Sequence, residues 1–164
     1  MKPEKLSDEL RLGSGGHLGN RRAIVILSLL SMGCMGLISL YQMGIIKHLP
    51  EPPLPKMDAD KVDGSKEAYG HLQMGDAFIG MASYSITAAL AAAGGKQRAH
   101  HQRWIPLAMA AKAGMDAVQA GRLTYEQFSK HQAACFWCLL ATASTLGTAL
   151  LVIPEAKAAL IKNM

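Results

Sequence analysis

Ala134-Cys135-Phe136-Trp137-Cys138-Leu139-Leu140 opens an apolar run that reaches Ile153 without a charged residue, and Pro154 closes it. Read as a helix, the run is long enough to cross ~30 Å of hydrocarbon. Cys135 and Cys138 stand three residues apart at its head and share one helical face. That spacing allows a local disulfide, or lets one sulfur attack a partner while the other resolves the mixed disulfide. A thiolate in the first helical turn is stabilised by unpaired backbone N–H groups and by the positive end of the helix dipole. The competing reading is two small apolar residues in a membrane helix. Placement at the helix start, rather than mid-span, favours chemistry.

Outward from this run, three further spans are expected. Residues 23–46 run for 24 positions without a charge. A signal peptide would have a much shorter apolar region followed by a small-x-small cleavage site, and no such site follows here. Residues 74–93 are apolar apart from Asp76, and Gly94-Gly95 ends them. Residues 104–120 form the weakest span, because they carry Lys112 and Asp116. The expectation is an all-α integral membrane protein: a four-transmembrane-helix bundle in 23–153, with spans at about 23–46, 74–93, 104–120 and 134–153. Residues 1–22, polar and containing Gly13-Ser14-Gly15-Gly16, read as a flexible cytoplasmic tail, and 154–164 as a second one. The loop at 47–73 is stiffened by Pro50, Pro52, Pro53 and Pro55, with room for a short interfacial helix within 58–69.

Half of the 164 residues are hydrophobic, ten are methionine, and Ala and Gly abound, as suits packed membrane helices. A formal charge of +5 could suggest nucleic acid. The basic residues, however, are scattered and gather beside apolar runs, so the expected partner is the lipid bilayer and not nucleic acid. Three cysteines are too few for a disulfide scaffold. Four spans put both termini on one side, together with Lys2, Lys5, Arg11, Arg21, Arg22, Lys96, Arg98, Arg103, Lys157 and Lys162. Lys47, Lys56, Lys61, Lys66, Arg122 and Lys130 fall on the other. This asymmetry predicts a multi-pass protein of the inner (plasma) membrane with both termini cytoplasmic. Cys135 and Cys138 then lie at the extracytoplasmic face, where disulfides persist.

Four spans, the last opened from outside by Cys-x-x-Cys, resemble the vitamin K epoxide reductase family. Asp60-Lys61-Val62-Asp63-Gly64-Ser65, followed by Tyr69, is similar to that family's loop signature of Cys-Asp-x-Val, a serine pair and an aromatic. Trp104-Ile105-Pro106-Leu107 and Leu123-Thr124-Tyr125 resemble the start and end of its third helix. The resemblance covers roughly residues 59–153. It implies a membrane thiol–disulfide oxidoreductase that passes electrons from a partner dithiol, such as that of a secreted thioredoxin-like protein, to a quinone. It further implies that Cys138 faces the quinone and Cys135 exchanges with the incoming thiol. Ser65 would match the loop serine near the site, and Asp76 a polar quinone contact.

The chain departs from the family at Ala59, where a second loop cysteine belongs, and residues 47–73 contain no cysteine. Either a partner's cysteines reach Cys135 directly, or this is a non-catalytic membrane subunit that kept the fold. Cys34, near the middle of the first span, reads as a small buried residue. Lys112 and Asp116 share a helical face inside a span, where charges face the bundle interior and pair. They read as an ion pair, with a proton route as the alternative. His100-His101 reads as a solvated turn. His131, four residues before Cys135, could favour a thiolate or simply sit at headgroup level. A copper(I) or zinc site at the cysteines needs more ligands than the neighbouring sequence offers, so no metal is expected.

Overall fold

The computed structural model describes residues 2–70 and 72–161; His71 of the long loop and residues 162–164, including Lys162, lie outside them. Among the described residues all regular structure is helical: α1 (Pro3–Arg11), α2 (Leu18–Gln42), α3 (Ala59–Asp63), a 3-10 turn (Lys66–Tyr69), α4 (Asp76–Ala92), α5 (Arg98–His101), α6 (Trp104–Glu126), α7 (Phe136–Leu151) and α8 (Ile153–Leu160). α2 packs against both α4 and α7, and α6 closes the arrangement against α7 and α4. Leu18–Gln42 and the continuous stretch Phe136–Leu160 are each 25 residues long and apolar enough to cross a membrane. α4 is apolar but shorter, and α6 carries its charged pair mid-helix.

Small residues allow the close approach on which helix packing in lipid depends. A Cβ on Gly80 of α4 would lie 2.9 Å from Met35 Sδ of α2, and one on Gly147 of α7 would lie 3.2 Å from Leu27 Cδ1. Ser28, Ser31, Thr87, Ser144, Thr145 and Thr148 are buried along the same seams. The outward faces carry exposed Ile26, Leu29, Ile86, Met115, Val118 and Leu150.

Three expected boundaries are corrected. The N-terminal segment is not a featureless tail, since Pro3–Arg11 is helical, with Pro at its first turn, Glu4 near its start and Arg11 in its last turn, each suited to the helix dipole. α2 accordingly begins at Leu18 and takes in Arg21, which is buried. Pro154 does not end the helical path of the last span. It occupies the first turn of α8, where its missing N–H has no intrahelical partner to lose. α6 runs six residues past the expected end at 120, where Glu126 lies 3.3 Å from Arg122 and 3.4 Å from Lys130.

The two ends of the bundle are built differently. At the end holding α5, Arg21 donates to the carbonyls of Ala91, Ala92, Ala93, Gly94 and Gly95, satisfying the last orphan acceptors of α4. Beside it, Arg98 and Glu155 form a fully buried bidentate pair. At the other end the loop between α2 and α4 folds over the bundle, burying Leu49, Ala59 and Val62 against Cys34, Ile38 and Cys135. Gln42 anchors that loop: its Nε2 donates to Asp76 Oδ1 (2.8 Å) and to the Asp63 carbonyl (3.4 Å), and its Oε1 accepts from Ala77 N. Gly75 is required there, because any Cβ would collide with Gln42 Oε1.

Candidate active site

The local sequence makes Cys135 the N-cap of α7 rather than a residue within it. Cys135 is extended (φ −93°, ψ 123°), and its Sγ accepts from Cys138 N at 3.3 Å. The sulfur thus replaces the side-chain oxygen of an ordinary cap and sits at the positive end of the helix dipole. Upstream, α6 ends in a π-helical turn, Gln127–His131, after which Gln132 takes a left-handed conformation (φ +51°) and reverses the chain. This turn aims the buried Gln127 side chain at the cap, where Oε1 accepts from Cys135 N at 2.9 Å. Backbone bonds between Ala134 and both Lys56 and Asp58 then tie the loop across the site. Trp137 Nε1 adds a bond to the Pro50 carbonyl at 2.7 Å.

The two cysteines have unequal surroundings. Cys135 has no exposed surface and lies under the loop, whereas Cys138 opens on a cavity of about 470 Å³. Both thiols are free, as is Cys34, which is buried in the same cluster as Cys135. Cys135 is not the solvent-accessible member of the pair. The proline-rich loop supplies the cover.

Several residues singled out from the sequence meet at this cavity. Ser65, Asp76 and Asp116 line it together with Cys138, and His131 stands at its rim. Lys112 Nζ lies 2.5 Å from Asp116 Oδ2 and donates to Ser83 Oγ at 2.8 Å, while Ser83 donates to Asp116 Oδ1. Charged side chains at such depth are held by mutual pairing. His100 and His101 are exposed on α5, apart from the cysteines.

Asp63 is the residue that sequence reading missed. It closes α3 and is 3% exposed, and its Oδ1 accepts from Cys138 Sγ at 3.4 Å. Its Oδ2 is buried without a hydrogen-bond partner among the described residues. Burial pushes the Asp63 carboxyl up to about 6, against the opposing pull of the Cys135 and Cys138 thiols, with Asp76 and Glu51 raising it further. Donor atoms of Asp63, Cys135 and Cys138 lie within 4.8 Å of one another, one short of the four that close a structural zinc site. The signal was present in the quoted loop motif, but only the fold of the loop brings position 63 to position 138.

The vitamin K epoxide reductase family model matches residues 22–153, most of the chain and every residue of this site. The chain belongs to this family. Comparison with curated proteins and with solved structures finds no match. As a vitamin K epoxide reductase family member with two apolar helices of spanning length, the chain is a membrane protein. Family membership supports a function in thiol–disulfide oxidoreduction, and the family is generally linked to quinones. Ala59, where the resemblance led to the expectation of a loop cysteine, is fully buried.

Proposed function

We propose that this protein is a quinone-linked thiol–disulfide oxidoreductase in which Cys135 and Cys138 pass electrons from a partner dithiol to a quinone. The observation that carries the reading is the position of Cys138, a thiol at a helix start on the wall of a cavity with its resolving partner one turn away. The cavity suits a flat, largely apolar ligand. Met35, Ile38 and Ala77 supply apolar wall, while Ser65, Asp76 and Tyr84 supply polar contacts. A bound quinone supplies the capacity to accept two electrons and two protons. The chain's own residues hold the thiols three positions apart, exclude water with the loop, and keep Cys135 near unpaired backbone N–H groups.

The fold we propose in the membrane is the four-span bundle, with α4 and α6 crossing beside α2 and α7 and both termini cytoplasmic. Apolar side chains exposed on all four helices, among them Ile86 on α4 and Val118 on α6, support it. A second reading is a non-catalytic membrane subunit, favoured by the buried Ala59 and the complete cover of Cys135.

The redox state of the pair in isolated membranes separates the readings. After mild reduction, addition of a membrane quinone is expected to protect Cys135 and Cys138 from alkylation, with full return of labelling on treatment with dithiothreitol. A pair that stays reduced with every quinone supplied leaves the subunit reading. For orientation, a reporter active only in the cytoplasm is expected to work when fused at Met164 and to fail when inserted near Lys61. The reverse pattern would place the cysteines on the reducing side and remove the case for disulfide formation.

A further inference from the structure

Asp63 takes no part in the exchange as described so far, yet its surroundings are costly for a structural residue. It is 3% exposed, and Oδ2 has no hydrogen-bond partner among the described residues. Its side chain meets the reacting sulfurs: Oδ1 accepts from Cys138 Sγ, and the Cys135 thiol also acts on the carboxyl. A carboxamide would accept the same S–H bond without burying a charge. What a carboxylate adds is the capacity to take the proton. The geometry points to Asp63 as a catalytic residue, the base that receives the Cys138 thiol proton when the cysteine pair is oxidised.

The inference rests on the proposed quinone-linked oxidation and assigns its proton path. The S–H bond of Cys138 breaks, its proton passes to Asp63 Oδ1, and the sulfur is left as thiolate. Cys135 loses the second proton, and the S–S bond forms between the two sulfurs. The electron pair released passes to the quinone, which takes up two protons in becoming a hydroquinone. The proton held by Asp63 and the one lost from Cys135 match those two. Asp63 itself lines the cavity, so it has a route to that ligand or to the water-facing rim.

The groups that act on the carboxyl are Cys135 and Cys138 from α7, Asp76 from α4 and Glu51 from the loop, with Tyr41 of α2 beside them. The π-helical turn that packs on α3 brings Lys130 and His131 to the same cavity. A carboxyl poised near pH 6 by burial is ionised at neutral pH and still basic enough to compete for a thiol proton. Below that pH it is already protonated and cannot accept another.

The test uses the full chain in membranes or nanodiscs, with a soluble short-chain quinone as oxidant. In the wild type, the rate of disulfide formation should fall as pH drops through about 6. In Asp63→Asn that inflection should vanish, and the rate at pH 7.5 should fall roughly 100-fold. Asp63→Glu should restore the inflection and part of the rate. A second readout needs no quinone: alkylation of Cys138 by a small maleimide in a Cys34→Ala, Cys135→Ala background. Removing the adjacent negative charge favours the thiolate, so Asp63→Asn should move the alkylation profile to lower pH. A displacement of the alkylation profile along pH separates loss of the charge from simple loosening of the fold, which speeds alkylation at every pH without moving the profile. A wild-type oxidation profile without the inflection, or Asp63→Asn at the wild-type rate, overturns the assignment even where one variant fails to fold. If no quinone oxidises the wild-type pair, the functional reading fails by itself. Alkylation then decides on Asp63, with a profile unchanged by Asp63→Asn overturning its contact with the thiol.

Discussion

Cys138→Ala is expected to abolish quinone-driven oxidation and to leave a partner protein trapped on Cys135, whereas Cys135→Ala is expected to trap none. Cys138, whose backbone N–H donates to Cys135 Sγ, is placed to resolve a mixed disulfide on Cys135. The other cysteine, Cys34 of α2, is buried in the same cluster as Cys135, so the trapping variants are made in a Cys34→Ala background; the loop has no cysteine. Without Cys138 an adduct formed at Cys135 therefore persists until an external reductant removes it. The structure adds a condition that the sequence did not suggest. Cys135 is fully covered, so a partner thiol reaches it only when the segment tied down by Ala134, Lys56, Asp58 and the Trp137–Pro50 bond lifts away. Trp137→Phe removes that last bond while keeping an aromatic ring, and it should increase the yield of adduct in the Cys138→Ala background. The readout is a band of higher mass on a non-reducing gel that disappears with dithiothreitol. Absence of an adduct from both single variants, together with a wild-type pair that remains reduced, would favour the subunit over the enzyme.

The second large effect lies at the opposite end of the bundle. Arg98→Ala should destabilise the protein by about 3–5 kcal/mol, because it strands Glu155 as an unpaired charge. Arg98 Nε and one terminal nitrogen contact the two Glu155 oxygens at 2.7 and 2.6 Å, with both residues 1% exposed. Arg98 also donates to the carbonyls of Leu90 and Ala93, so it joins the end of α4 to α8. Replacing both partners with apolar residues of similar volume, Arg98→Met with Glu155→Leu, removes the stranded charge and should recover much of the loss. Thermal unfolding in detergent provides the measurement. A double variant as unstable as the sum of the single changes would show that the pair is not coupled.

These two ends also show what could be read from the chain before its fold was known. Local sequence sufficed for the helical class, the approximate place of the apolar segments and the position of Cys135 and Cys138 at a helix start. These depend on residues close together in the chain: unbroken apolar runs and a three-residue spacing. That Cys135 is the extended N-cap, and that the helical path continues through Pro154, were not legible there. The same locality made Lys112 and Asp116 legible as a pair, since four residues along a helix bring side chains into reach. Arg21 and Arg98 could be counted as charges beside a span but not recognised as buried. Their partners, the carbonyl of Ala91 and the carboxylate of Glu155, are supplied 70 and 57 residues away. Asp63 stood in plain view within the loop motif, yet its meeting with Cys138 spans 75 residues. The cover over Cys135 likewise depends on a loop from the other side of the fold. Tertiary structure alone decided which thiol opens on the cavity and which charged group meets it, because burial and proton transfer depend on distance in space rather than along the chain.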